Sequence, residues 1–157
     1  MTKATFVAVL VLSFNLFALN YPSGPNLEVT PGDLCKTPGQ IRYPEKIKYC
    51  VRDVDSELKR QIIAQYDRDF GFDLLSIKRE DIKIDHFIPL CMGGSNAREN
   101  LWPQYKAVYA ITDPLEPLLC DKMAAGRLKQ ADAVKMIRAA KLDLSKVKEI
   151  LKSAAAL

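Results

Sequence analysis

The stretch KIDHFIPLCMGGSNARENLWPQYK, residues 83–106, holds the only histidine of the chain, His86, directly after Asp85. The run Ile82–Leu90, IKIDHFIPL, is rich in β-formers, and Pro89 places a strand edge or a strand end there. Gly-Gly-Ser-Asn at 93–96 is turn chemistry, and Asn-Leu-Trp-Pro-Gln at 100–104 reads as a second short extended piece. A strand, a glycine turn and a strand are then followed by a helix start at Thr112-Asp113-Pro114. Asp113 stands at the cap, Pro114 at the first position and Glu116 three residues on from the cap. This unit sets the expected fold class as α+β.

Outward from this unit the chain reads as helices. Asp53–Gly71 predicts a helix capped by Asp55 or Ser56, with Leu58, Ile62, Ile63 and Tyr66 on one face and Gly71 as its stop. Beyond Gly126, Lys129–Leu142 and Leu144–Leu157 predict two more amphipathic helices. Asn20–Pro44 is rich in Pro and Gly and reads as irregular. The expected division is a signal peptide at 1–19, an irregular disulfide-bearing segment at 20–50, and one domain at 51–157. At 157 residues the chain can bury a real core, and a net charge of +4 decides little by its sign.

The first residues have a lone Lys3, an apolar run from Ala4 to Leu19, and then a Pro/Gly-rich exit. That is the pattern of a secretory signal peptide, with an uncleaved N-terminal anchor as the other reading. Export gives a periplasmic or secreted protein, and it makes the four cysteines informative. Cys35, Cys50, Cys91 and Cys120 in an oxidising compartment point to two disulfides. Of the three pairings, Cys35–Cys50 with Cys91–Cys120 is favoured, because each pair brackets a compact unit. A four-cysteine zinc site would usually show close C-x-x-C pairs, which this chain lacks.

A histidine beside a carboxylate suits phosphodiester hydrolysis. That reaction needs a base for water, a cation against the charge building on phosphate, and groups to hold the cation. Histidine titrates near neutrality, and a carboxylate suits a hard cation such as Mg²⁺. Neighbouring side chains on a strand point to opposite faces, so Asp85 and His86 serve one site only if the strand bends or ends nearby.

The residues Asp85, His86, Ile88, Pro89, Leu90, Gly93, Gly94, Ser95, Asn100, Leu101, Trp102, Pro103 and Gln104 resemble a family signature. It is that of the HNH (His-Asn-His) endonucleases with the ββα-metal fold, in an exported bacterial subgroup reading approximately D-H-x-I-P-L-x-x-G-G-S-x-x-x-x-N-L-W-P-Q. The resemblance implies a ββα-metal core with flanking helices, mostly α by content. It implies His86 as the general base, Asp85 as a metal ligand, and Asn100 as the residue that pins the loop and orients the histidine. The cofactor would be a divalent ion, Mg²⁺ or otherwise Mn²⁺. The chain departs from the family at the third motif position. It has no second histidine there, and the region offers Ala110, Thr112 and Asp113. Asp113 is a candidate oxygen ligand as well as a helix cap. Thr112 stands where the family carries a basic residue.

Trp102 reads as core or as a wall beneath the site rather than a base-stacking platform. Cys91 reads as a disulfide partner, since the only histidine is already assigned. From Leu118 to the end, nine Lys/Arg face four acids, a net +5 that either contacts phosphates without reading sequence or is a solvated face. Nothing resembles a base-reading module. The expected function is therefore an exported, metal-dependent endonuclease of low specificity, acting as a monomer on DNA, with RNA a further substrate. The alternative is an inactive HNH-fold module that binds nucleic acid or a protein.

Overall fold

The computed structural model describes residues 20–157. The expected signal peptide, 1–19, lies outside the described residues. Among the described residues the architecture is α+β, with two antiparallel strand pairs and five α-helices. A short hairpin comes first, β1 (Gln40–Arg42) on β2 (Ile47–Tyr49). Then come α1 (Ser56–Phe70), β3 (Ile82–His86), β4 (Leu101–Tyr105), α2 (Lys106–Thr112), α3 (Leu115–Ala124), α4 (Gln130–Leu142) and α5 (Val147–Ala155).

Local chemistry accounts for α1 directly. The Asp55 carboxylate accepts from Leu58 N at 2.7 Å, and Gly71 closes the helix in the left-handed region at φ 71°. Ile62, Ile63 and Tyr66 face inward onto β3 and β4, where they pack with Ile82, Ile84, Leu101 and Trp102. Trp102 has no exposed surface, as expected of a core residue. Each such fully buried large side chain stabilises the fold by roughly 1.5–3 kcal/mol. A second core joins α3, α4 and α5 through Leu115, Leu119, Ile137, Ala140, Val147 and Ala154.

The segment expected to be irregular contains β1, and it packs closely against the rest. Tyr66 Oη accepts from Asn26 N at 3.1 Å, and Thr30 Oγ1 donates to Leu101 O at 3.1 Å. Leu34 bridges Gly94, and Cys35 N donates to Gly93 O at 2.8 Å. The Pro/Gly content hid β1 because its turn is made by Tyr43 and Lys46, both at positive φ, rather than by glycine. Both favoured disulfides form, Cys35–Cys50 with Cα atoms 5.7 Å apart and Cys91–Cys120 with 6.0 Å. The second ties the loop after β3 to α3. Disulfides fit an oxidising compartment. Among the described residues no helix is long and apolar enough to cross a membrane.

The helix expected to start at Asp113 is arranged differently. α2 occupies 106–112 and α3 begins at Leu115, so Asp113 is the C-cap of α2, in right-handed helical conformation, and caps nothing with its side chain. Its amide is already bonded to Tyr109 O at 2.8 Å. That releases the Asp113 carboxylate for the site.

Candidate functional site

β3 ends at His86, and the chain then loops through Pro89 and the two glycines back to β4. Asn100 holds this loop from within. It is wholly buried, accepts from Ile88 N at 2.8 Å, and donates to Ile88 O at 2.9 Å and Ser95 O at 2.8 Å. Gly94 is required by contact, since a Cβ there would lie 1.8 Å from Ile88 O. Asn100 thus has the loop-pinning geometry expected of it, but it does not touch the imidazole.

Two other residues hold the imidazole. Arg52 Nη1 lies 3.1 Å from His86 Nδ1, and Arg52 Nη2 donates to Ile84 O at 3.0 Å. Asn96 Oδ1 lies 3.0 Å from His86 Nε2, and the Asn96 amide is oriented by donating Nδ2 to Val51 O at 2.7 Å. A guanidinium has only donors, so Nδ1 accepts and Nε2 carries the proton. This fixes a neutral tautomer. Burial, with the Arg52 charge assisting, pushes the His86 pKa down to about 4, against the opposing pull of the Asn96 hydrogen bond.

Asp85 leaves β3 on the other side, yet it lines the same 270 Å³ cleft as His86, together with Arg42, Tyr49, Arg52 and Glu116. Lys141 of α4 joins the two residues. Its ammonium donates to Asp85 Oδ2 at 2.8 Å, His86 O at 2.6 Å and Glu116 Oε1 at 2.7 Å. Lys83 donates to both Asp113 oxygens at 2.6 and 2.9 Å and lies 3.7 Å from Asp85 Oδ1. Burial raises the Asp85 carboxyl, but Lys141 and Lys83 outweigh it and hold the group below the ordinary carboxylate range. Burial wins at Glu116, where the neighbouring Asp85 charge adds to it, and that carboxyl is raised. Lys141 is held charged, because Asp85 and Glu116 overcome its desolvation. Thr112, at the family's basic position, is buried and accepts from Gln104 Nε2 at 2.8 Å. The cations paired with the carboxylates come from β3 and α4 instead.

Asp85, Asp113 and Glu116 each bring one carboxylate oxygen within 4.8 Å of the others, a group that can hold a metal ion. Oxygen-only donors are the chemistry a hard divalent cation takes. The site therefore contains the sequence candidates Asp85, His86 and Asp113, with Asn100 behind them. It adds Arg52, Asn96, Glu116 and Lys141, which sequence reasoning missed. Glu116 was read as a cap partner. Lys141 had a signal, since it follows Ala133 and Ile137 at four-residue steps on the buried stripe of α4, where a lysine is out of place.

The basic C-terminal helices present less free charge than their count implies. Lys122 donates to Ala155 O, Arg127 to Leu157 O, Arg138 to Pro31 O, and Lys141 is buried. Exposed cations nearer the cleft are Arg52 and Lys36, which line an adjoining open groove of 740 Å³ with Ser95 and Asn96.

The depressed His86 pKa has a thermodynamic consequence. Between its ordinary 6.5 and about 4, the unfolded chain binds the proton and the folded chain does not. The stabilisation is complete above pH 6.5 and is lost as the pH falls toward 4, a total of about 3 kcal/mol. Urea unfolding across that window is expected to show this loss in the wild type and to lack it in His86→Asn. Parallel profiles would contradict the assignment. Asp85 loses its own contribution only below the ordinary carboxylate range.

Compared with family models, curated proteins and solved structures, the chain matches none.

Proposed function

We propose that the chain is an exported HNH-type phosphodiesterase that cuts nucleic acid, DNA before RNA, with little sequence preference. The observation that carries this reading is the neutral imidazole of His86, whose Nδ1 lone pair points at the exposed Arg52 guanidinium beside the carboxylate cleft. Supporting it are the order β3, pinned loop, β4, α2, as in a ββα unit, and the thirteen signature residues.

The chemistry follows from these groups. A phosphodiester entering the cleft competes for the Arg52 guanidinium, whose fork matches two phosphate oxygens. Arg52 turning to phosphate frees Nδ1 to take a proton from water as that water attacks phosphorus; the P–O ester bond opposite the attacking water breaks, and the departing alkoxide takes its proton from solvent water. Asn96 keeps the proton on Nε2, so Nδ1 stays the accepting nitrogen throughout. Arg42, Lys36 and Arg52 contact the phosphate backbone without reading bases. Asp85, Asp113 and Glu116 are the residues that would hold Mg²⁺ or Mn²⁺, which when bound neutralises charge on phosphate.

The disulfide-bonded protein is expected to nick supercoiled plasmid in Mg²⁺ or Mn²⁺. A folded protein that leaves plasmid and single-stranded RNA intact in Mg²⁺, Mn²⁺ and EDTA would sink the reading. One observation favours the alternative, a non-catalytic HNH-fold module: the imidazole nitrogens and the clustered carboxylates are engaged within the protein. A shift of labelled DNA at low salt without cleavage would select it.

A further inference from the structure

Lys141 has no exposed surface, and its ammonium has three oxygen partners for its three hydrogens. Helix α4 delivers it on its apolar stripe, between Ala140 and the rest of the second core, to the point where Asp85 Oδ2 and Glu116 Oε1 converge. Those carboxylates, with Asp113, form the oxygen group described above. The Lys141 ammonium thus occupies an oxygen of two of the three candidate ligands, Asp85 and Glu116, with His86 O as its third partner, while Asp113 is held by Lys83.

We propose that the Lys141 ammonium is the resident cation of this carboxylate group, and that a divalent ion enters only by displacing it. The inference deepens the hydrolase reading and rests on it for the metal. Three carboxylates against the Lys83 and Lys141 ammoniums leave one net negative charge. A hard divalent cation favours sites with more free carboxylate charge than that. To reach Asp85 Oδ2 or Glu116 Oε1 it must break a hydrogen bond of Lys141, whose side chain is enclosed and remains a like charge beside it. Removing the ammonium alone leaves two net negative charges and three freed oxygens, two of them carboxylate, at the same place.

The test is Mn²⁺ titration of the disulfide-bonded protein near pH 7 by calorimetry, with thermal unfolding recorded in Mn²⁺ and in EDTA. Wild type is compared with Lys141→Met, which keeps the bulk of the side chain without its charge. Lys141→Met is expected to bind Mn²⁺ at least tenfold more tightly than wild type, and its Tm is expected to rise with Mn²⁺ more steeply than the wild-type Tm. Adding Glu116→Gln should return the affinity toward the wild-type value. If Lys141→Met is unfolded in EDTA, recovery of the fold in Mn²⁺ gives the same answer. A wild type that binds one Mn²⁺ as tightly as the variant overturns the proposal. An unfolded variant that Mn²⁺ does not rescue overturns it too, because the two cations would then not be interchangeable at these oxygens. No cleavage is measured, so the nuclease reading fails or stands separately.

Discussion

His86→Ala is expected to lower phosphodiester hydrolysis by about 10²–10⁴-fold, the usual contribution of a positioned general base. The chain has no other histidine to substitute for it. The two contacts of the imidazole divide the work. In the proposed mechanism Asn96 fixes the tautomer, and Arg52 would hold Nδ1 until phosphate draws it away. The loss should therefore fall on kcat more than on KM, since the alanine variant keeps Arg52 for phosphate. The low His86 pKa adds a pH signature. The acid limb of kcat/KM should lie near pH 4 rather than at the ordinary histidine value. Steady-state cleavage of a labelled duplex by both proteins measures each of these. A His86→Ala protein within a few-fold of wild type would remove the base from the mechanism.

Asn100→Ala is expected to destabilise the fold by about 3 kcal/mol or more. Asn100 serves three backbone groups of the Asp-His loop, Ile88 N, Ile88 O and Ser95 O, and all its bonds are buried. Buried backbone groups left without partners cost about 1–3 kcal/mol each. Water entering the space left by the amide recovers part of that. Asn100→Asp should recover little, because it keeps the acceptor for Ile88 N but loses both donated bonds. Urea or thermal unfolding of the disulfide-intact variants measures the loss. A cost under 1 kcal/mol for alanine would mean that the loop is held by Gly94 packing and the Cys91–Cys120 disulfide rather than by Asn100.

What the sequence revealed and what it hid divide along a physical line. Asp55, Gly71, Pro89 and the Gly93-Gly94 turn act on their own backbone or on near neighbours, so their residue types announced α1, the end of β3 and the loop. The loop-pinning place of Asn100 came from the signature it resembles, and its side-chain partners lie five and twelve residues away. Of the residues that complete the site, Asn96 lies ten positions from His86 within the glycine turn and carries only turn chemistry in its residue type, while the others come from farther off. Arg52 reaches His86 across 34 positions, and Lys141 reaches Asp85 across 56. No local periodicity encodes such a meeting. Asp113 shows the same limit from the other side. Its place before Pro114 fits a helix N-cap, but Asp113 closes the end of α2 instead, and its carboxylate turns to Lys83. Lys141 was the one distant residue with a visible trace, a charge on the apolar stripe of α4.

The central claim is that His86 stands as a neutral base, protonated at Nε2, with Nδ1 accepting from Arg52. A single histidine makes this directly measurable, because the imidazole nitrogen resonances of the labelled protein belong to one residue. A long-range ¹H–¹⁵N correlation series across pH reads tautomer and titration together. The account predicts the Nε2–H tautomer through neutral pH, a midpoint near 4, and a shift of that midpoint upward in Arg52→Ala. An Nδ1–H tautomer, or titration at the ordinary histidine pKa unchanged by Arg52→Ala, would contradict it.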